Sequence, residues 1–95
     1  MREYYAELLE NYKDVVTVRE VVALTGYARS TVNNWYSRGM LKSFRKGNLF
    51  YIPKVFLIDF LCSVYFRTIV QKSNWHIRTL RTFADRQQRR AVQVK

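Results

Sequence analysis

The chain has 95 residues, 48% of them hydrophobic and 16% aromatic, with one proline; this excludes a disordered polypeptide and suffices for the modest core of one domain. Its single cysteine, Cys62, excludes a disulfide framework, and one Cys with one His cannot build a zinc site, so no metal or cofactor is expected. Seventeen basic against seven acidic side chains leave a net charge of +10, which draws the molecule towards polyanions such as nucleic acid or an anionic membrane.

The charge is unevenly spread. Residues 1–14 hold two basic and four acidic side chains, residues 15–62 seven and two, and residues 63–95 eight and one. A single domain is expected, with an N-terminal segment (1–14), a core (15–62) and a basic C-terminal extension (63–95). The most apolar run, Leu49 to Val70, contains Pro53, Lys54, Asp59 and Arg67, whereas a membrane-crossing helix needs about 20 nearly uncharged residues. The acidic N-terminus does not read as a signal peptide, so a cytoplasmic protein is expected.

In chain order, Glu3, Glu7 and Glu10 recur on one helical face while Tyr5, Leu9 and Tyr12 recur on another, with Tyr4 and Leu8 beside them. This predicts an amphipathic helix from about Arg2 to Tyr12. Its acidic stripe should face away from a polyanion or pair with a basic segment of the same or another chain. Asn11, Lys13 and Asp14 connect it to the core.

Thr17 and Glu20 have the spacing of a capping box, so a second helix should begin at Val18. Val18, Val21, Val22 and Leu24 give it a buried face, and Gly26 ends it after about two turns. Tyr27 and Ala28 form a turn. Val32, Trp35 and Tyr36 then mark one face of a third helix, closed by Gly39. Trp35 and Tyr36 share that face with Val32 and read as core.

The opposite face carries Arg29, Ser30, Asn33, Asn34, Ser37 and Arg38. Asn suits the adenine edge and Arg the guanine edge, while Ser and Thr reach bases or phosphates. Thr31 fits either a helix start or a phosphate contact. A face meant only for solvation would more often use Lys and Glu.

Lys42 to Arg45 and Leu49 to Ile52 flank Lys46, Gly47 and Asn48, a hairpin signal that places Arg45 and Lys46 at the tip. Such a tip can lie along a phosphate backbone or enter a minor groove, with Asn48 beside it. Two short helices, a tight turn and a basic hairpin make the plan of a winged helix-turn-helix domain, mainly α with a two-stranded wing.

Pro53 fits the first turn of a helix, and residues from Val55 through Phe66 are apolar nearly all round. Such a helix must be covered on several sides. A homodimer is expected to supply part of the cover, the alternative being the terminal helices of one monomer. Asn74 can cap a last helix from Trp75, with Ile77, Leu80, Phe83 and Ala84 as its apolar stripe and Arg78, Arg81, Arg86, Arg89 and Arg90 as its surface. Val92 to Lys95 should fray. His76 stands alone and reads as a surface or packing residue, so no catalytic constellation assembles and an enzyme is not expected.

The run TVREVVALTGYARSTVNNWYSRGMLKSFRKGNLFYIPKVFLIDFL resembles the winged helix-turn-helix domains of the excisionase and MerR-like group. The likeness lies in the TVREVVALTG opening, the RSTV start of the third helix, RGML before the wing and YIPK after it. It spans Val16 to about Leu61. The family usually has Ser where Ala28 stands, and loss of that cap costs about 1 kcal/mol, which Ser30 or Thr31 could offset.

The resemblance implies binding of double-stranded DNA. It further implies either an architectural role, binding and bending DNA at the ends of a mobile element so that a partner recombinase favours excision, or the role of a small transcriptional regulator. Two rivals are a protein-interaction adaptor that docks through the apolar and Arg-rich C-terminal helices, and an RNA-binding basic protein. A helix presenting short polar residues suits duplex DNA better than RNA, whose deep major groove excludes side chains.

Overall fold

The computed structural model describes residues 1–93. It is mostly helical, with one small three-stranded antiparallel sheet. In chain order come α1 (Arg2–Leu8), β1 (Val15–Thr17), α2 (Val18–Thr25), α3 (Arg29–Ser37), β2 (Phe44–Lys46), β3 (Leu49–Pro53), α4 (Lys54–Leu61), α5 (Val64–Arg67) and α6 (Asn74–Gln93).

Helix α1 stops at Leu8, a turn short of the expected Tyr12. The Lys54 ammonium explains the stop: it donates to the carbonyls of Leu9 at 3.2 Å and Tyr12 at 3.0 Å, gathering the acceptors a helix end leaves open. Strand β1 was not expected. It pairs Val15 with Pro53, Val16 with Ile52 and Thr17 with Tyr51, so the sheet order is β1-β3-β2. Three residues are too few to show alternation in sequence, and only the partner strand defines them as a strand.

Helix α2 begins as its capping box requires. Thr17 Oγ1 accepts from the Glu20 amide while the Glu20 carboxylate accepts from the Thr17 amide. Gly26 ends it in the left-handed conformation. Helix α3 buries Val32 and Trp35, and Trp35 is the centre of the core: its ring lies 4.8 Å from Phe60, 5.1 Å from Tyr27 and 5.9 Å from Phe66. Val16, Val21, Leu41, Ile52, Leu57 and Leu61 close around this group.

The expected long apolar helix is two. Ser63 breaks it, because its hydroxyl donates to the Phe60 carbonyl and accepts from the Phe66 amide, ending α4 and capping α5 with one side chain. Ser73 likewise displaces Asn74 as the cap of α6: its Oγ accepts from the His76 amide at 3.1 Å and donates to the Thr25 carbonyl at 2.6 Å. Val92 and Gln93 belong to α6, and Val94 and Lys95 lie outside the described residues.

The stripe by which α6 packs is also displaced. His76 and Thr79 are buried whereas Ile77 is 41% exposed. Two tyrosine hydroxyls hold this phase: Tyr27 meets His76 Nδ1, and Tyr4 donates to the Thr79 carbonyl. The acidic stripe of α1 is partly answered by α6, where Arg86 pairs with Glu7 at 3.2 Å and lies over the Tyr4 ring. Among the described residues no helix is long and apolar enough to cross a membrane.

His76 stacks on Phe66 with centroids 3.9 Å apart, and burial, with Lys72 nearby, pushes its pKa down from 6.5 to about 4. Unfolding restores the ordinary value. Between pH 6.5 and about 4 the unfolded chain therefore takes up a proton that the folded chain refuses. Stability contributed by neutral His76 is present above pH 6.5 and lost as pH falls, by up to about 3 kcal/mol. Thermal unfolding followed by circular dichroism should give a melting temperature that drops across this window, and His76→Phe should flatten that part of the profile.

Candidate nucleic-acid interface

Helix α3 divides cleanly. With 3.6 residues per turn, Ser30, Asn34 and Ser37 lie opposite Val32 and Trp35, and Arg29 and Arg38 flank them on either margin. All five flanking and central residues are exposed, as a reading face must be, while Thr31 and Asn33 are half-buried at its borders.

The C-terminal end of this face is fixed by a Schellman turn. The Met40 amide donates to the Trp35 carbonyl and the Gly39 amide to the Tyr36 carbonyl, with Gly39 at φ 76°. A side chain at Gly39 would oppose that φ, so the glycine is required for Arg38 to sit where it does.

At the other end Ala28 is the N-cap, in an extended conformation and without a side-chain bond to the helix. Neither Ser30 nor Thr31 replaces the missing cap, because both are already inside the first turn. The first amides of α3 are thus left to solvent or to an anion, with Arg29 beside them.

The hairpin stands against α3 through Tyr36, whose ring lies 4.6 Å from Phe50. Its turn is the two-residue pair Gly47-Asn48, since Lys46 pairs with Leu49. Gly47 has φ 64° and no non-glycine residue among the described residues has positive φ, so the left-handed position falls first in the turn, as in type II′. The Arg45 guanidinium braces the turn by donating from Nε to the Gly47 carbonyl at 3.0 Å.

Arg45 and Lys46 do not share a face. Arg45 pairs with Phe50 and its guanidinium lies 5.9 Å from that ring, on the side that faces α3. Lys46 alternates to the outer side, where it lines a shallow depression with Phe44, Gly47 and Tyr51. The hairpin tip therefore carries one cation on each flank.

A groove between α2, α3 and the hairpin is lined by Thr17, Val18, Arg19, Arg29, Tyr36, Asn48, Leu49 and Phe50. It brings Arg29 and Asn48 together and adds Arg19, which sequence reasoning missed. The signal was available: Arg19 is the second residue after the Thr17 cap, on the side of α2 away from Val18 and Val21. Ser30, Asn34, Ser37 and Arg38 lie on the exposed face beyond that groove.

The charge around α3 and the hairpin is unbalanced. Among the described residues the ion pairs are Arg2–Asp59 and Glu7–Arg86, so Arg19, Arg29, Arg38, Arg45 and Lys46 are not neutralised by a carboxylate. The nearest acid in this part of the chain, Glu20, is held in its capping box. Asn33 differs from Asn34: its carbonyl oxygen is buried without a hydrogen-bond partner, so it cannot offer its full amide to a base edge.

Among the described residues no group of three or more His, Cys, Asp and Glu could hold a metal ion. Burial pushes the half-buried Cys62 thiol up, away from the thiolate a nucleophile needs. No family model, no curated protein and no solved structure matches this chain.

The open cap gives a direct test. Ala28 already has the backbone conformation of a capping residue, so Ala28→Ser should stabilise the chain by about 1 kcal/mol, measured as a higher midpoint in urea with an unchanged slope.

Proposed function

We propose that this chain is a winged helix-turn-helix protein that binds double-stranded DNA sequence-specifically, with α3 in the major groove and the β2–β3 hairpin on the backbone or in the minor groove. The observation that carries the reading is the polar face of α3, Ser30, Asn34 and Ser37 between Arg29 and Arg38, beside a hairpin tip with a cation on each flank. Asn34 is the residue best placed to read an adenine, and Arg29 and Arg38 can take guanines or phosphates. Arg19, Arg45, Lys46 and the open amides of α3 supply backbone contacts that set the register.

On this reading the chain acts as an architectural factor of the excisionase kind or as a small transcriptional regulator, cytoplasmic and associated with the nucleoid. Neither role calls for catalysis or a cofactor. A homodimer fits the exposed Val55, Phe56, Val64 and Tyr65 side chains of α4 and α5. A second reading, an adaptor docking a recombinase or another protein, is favoured by one observation: from Ala84 to Arg90 every residue of α6 is exposed.

Selection of duplexes from a random pool, followed by fluorescence anisotropy across salt concentrations, tests the DNA reading. A selected site should bind roughly a thousandfold or more tighter than bulk DNA. Asn34→Ala should then lose about 1–3 kcal/mol of discrimination at one base position, whereas Lys46→Ala should weaken all duplexes alike and lower the salt slope by about one. Binding that is weak, unselective and erased by modest salt would leave charge alone as its cause and turn attention to α6.

A further inference from the structure

A two-stranded wing with one solvated face should be polar on that face. This one is not. By register Phe44, Leu49 and Tyr51 fall on the face of the β2–β3 hairpin opposite Phe50 and Ile52, because Phe44 pairs with Tyr51 and Lys46 with Leu49; Leu49, the first residue after the turn, also borders the groove towards α3. Phe44 is 44% and Leu49 59% exposed. Single surface apolar residues are ordinary, but three on one face of a short hairpin, Phe44–Pro53, form a patch.

The patch is built rather than loose. Phe44 and Tyr51 stack with their rings 5.7 Å apart and only 24° from parallel, making a stiff base behind the tip. Leu49 stands ahead of that base, next to the turn, where no core residue covers it. The turn is braced by the Arg45 bond to Gly47. Lys42 to Ile52 contain no acidic residue, so the apolar tip is flanked by cations only. An apolar tip between two cations matches a site with apolar walls between two rows of phosphates. The minor groove, about 6 Å wide, is such a site.

We propose that Leu49 is a wedge: the hairpin tip enters the minor groove, Arg45 and Lys46 engage the phosphates on its two sides, Asn48 meets the base edges, and Leu49 inserts between two base pairs, unstacking them and kinking the duplex. The Phe44–Tyr51 stack backs the wedge and resists its being pushed aside. The inference rests on the DNA-binding reading and adds to it how the DNA is deformed. Unstacking is cheapest at pyrimidine–purine steps, so the wing contributes preference for such a step without a hydrogen bond to it.

The test uses the full chain and the selected duplex, carrying dyes at its ends for energy transfer and 2-aminopurine at successive steps under the wing. Wild type should shorten the end-to-end distance and raise 2-aminopurine fluorescence at one step. Leu49→Ala, an exposed substitution checked by circular dichroism, should remove the fluorescence rise, reduce the bend by more than half and weaken binding roughly tenfold. A mismatch at that step, which lowers the cost of unstacking, should narrow the difference between the two proteins. Lys46→Ala should weaken binding yet keep the kink in the complex that forms.

The wedge is overturned if Leu49→Ala keeps both the bend and the fluorescence change. It is overturned as well if the patch serves a second copy, seen as a wild-type dimer that becomes a monomer on Leu49→Ala with DNA bending unaltered. Absence of any selected duplex for the wild type would remove the DNA-binding reading itself, a result separable from the other two by anisotropy alone.

Discussion

Burial of Trp35 is the constraint on which the rest depends. One side of its ring system closes the turn before α3 through Tyr27, and the others seat α4 and α5 through Phe60 and Phe66. Its carbonyl accepts from both Met40 and Leu41, so the same residue directs the chain out of α3 towards the hairpin. Because the tryptophan can be buried in only one rotational setting of α3, the polar face of that helix has only one direction in which to point. Removing so large a buried ring costs about 3–5 kcal/mol in a typical core, a large share of the stability of a domain this size.

The other half of the arrangement is electrostatic. Three of the seven acidic side chains are engaged away from the exposed face of α3: Glu20 at a helix start, Glu7 with Arg86 and Asp59 with Arg2. The cations around α3 and the hairpin have no such partners among the described residues. A protein with the same net charge but evenly mixed signs would offer no direction of approach, whereas this one sets Arg19, Arg29, Arg38, Arg45 and Lys46 beside the face that carries hydrogen-bonding side chains.

The sequence was legible where local rules act alone. The Thr17–Glu20 capping box, Gly26, the apolar face of α3 and the Gly47-Asn48 hairpin each declare themselves within a few residues. What could not be read depends on distant partners. Strand β1 exists because Val16 meets Ile52, and α1 ends where Lys54 reaches its carbonyls. The single apolar run after Pro53 hid a break, since Ser63 was outweighed by the hydrophobic residues around it. In α6 the hydrophobic stripe pointed to Ile77, but the helix turns His76 to Tyr27 instead. Of the candidate site, the division of α3 into a buried and an exposed face was legible from its spacing, while the half-burial of Thr31 and Asn33, Arg19 and the separation of Arg45 from Lys46 needed the packing, the groove and the register.

Strand β1 has a topological consequence. Its pairing with β3 joins Thr17 to Tyr51, so the segment holding α2, α3 and the hairpin leaves the sheet at almost the place where it entered. The two junctions with the remainder of the chain are therefore neighbours in space. A segment whose ends meet can be fixed into different surroundings without altering its inner path, as domain insertion and circular permutation exploit. Here α1 and α6 meet each other as well as the core, through Glu7 with Arg86 and Tyr4 with Phe83. The architecture is thus a loop of chain tied at its base by the sheet, whose core is completed from outside by Phe60 and Phe66 and which α1 and α6 clasp.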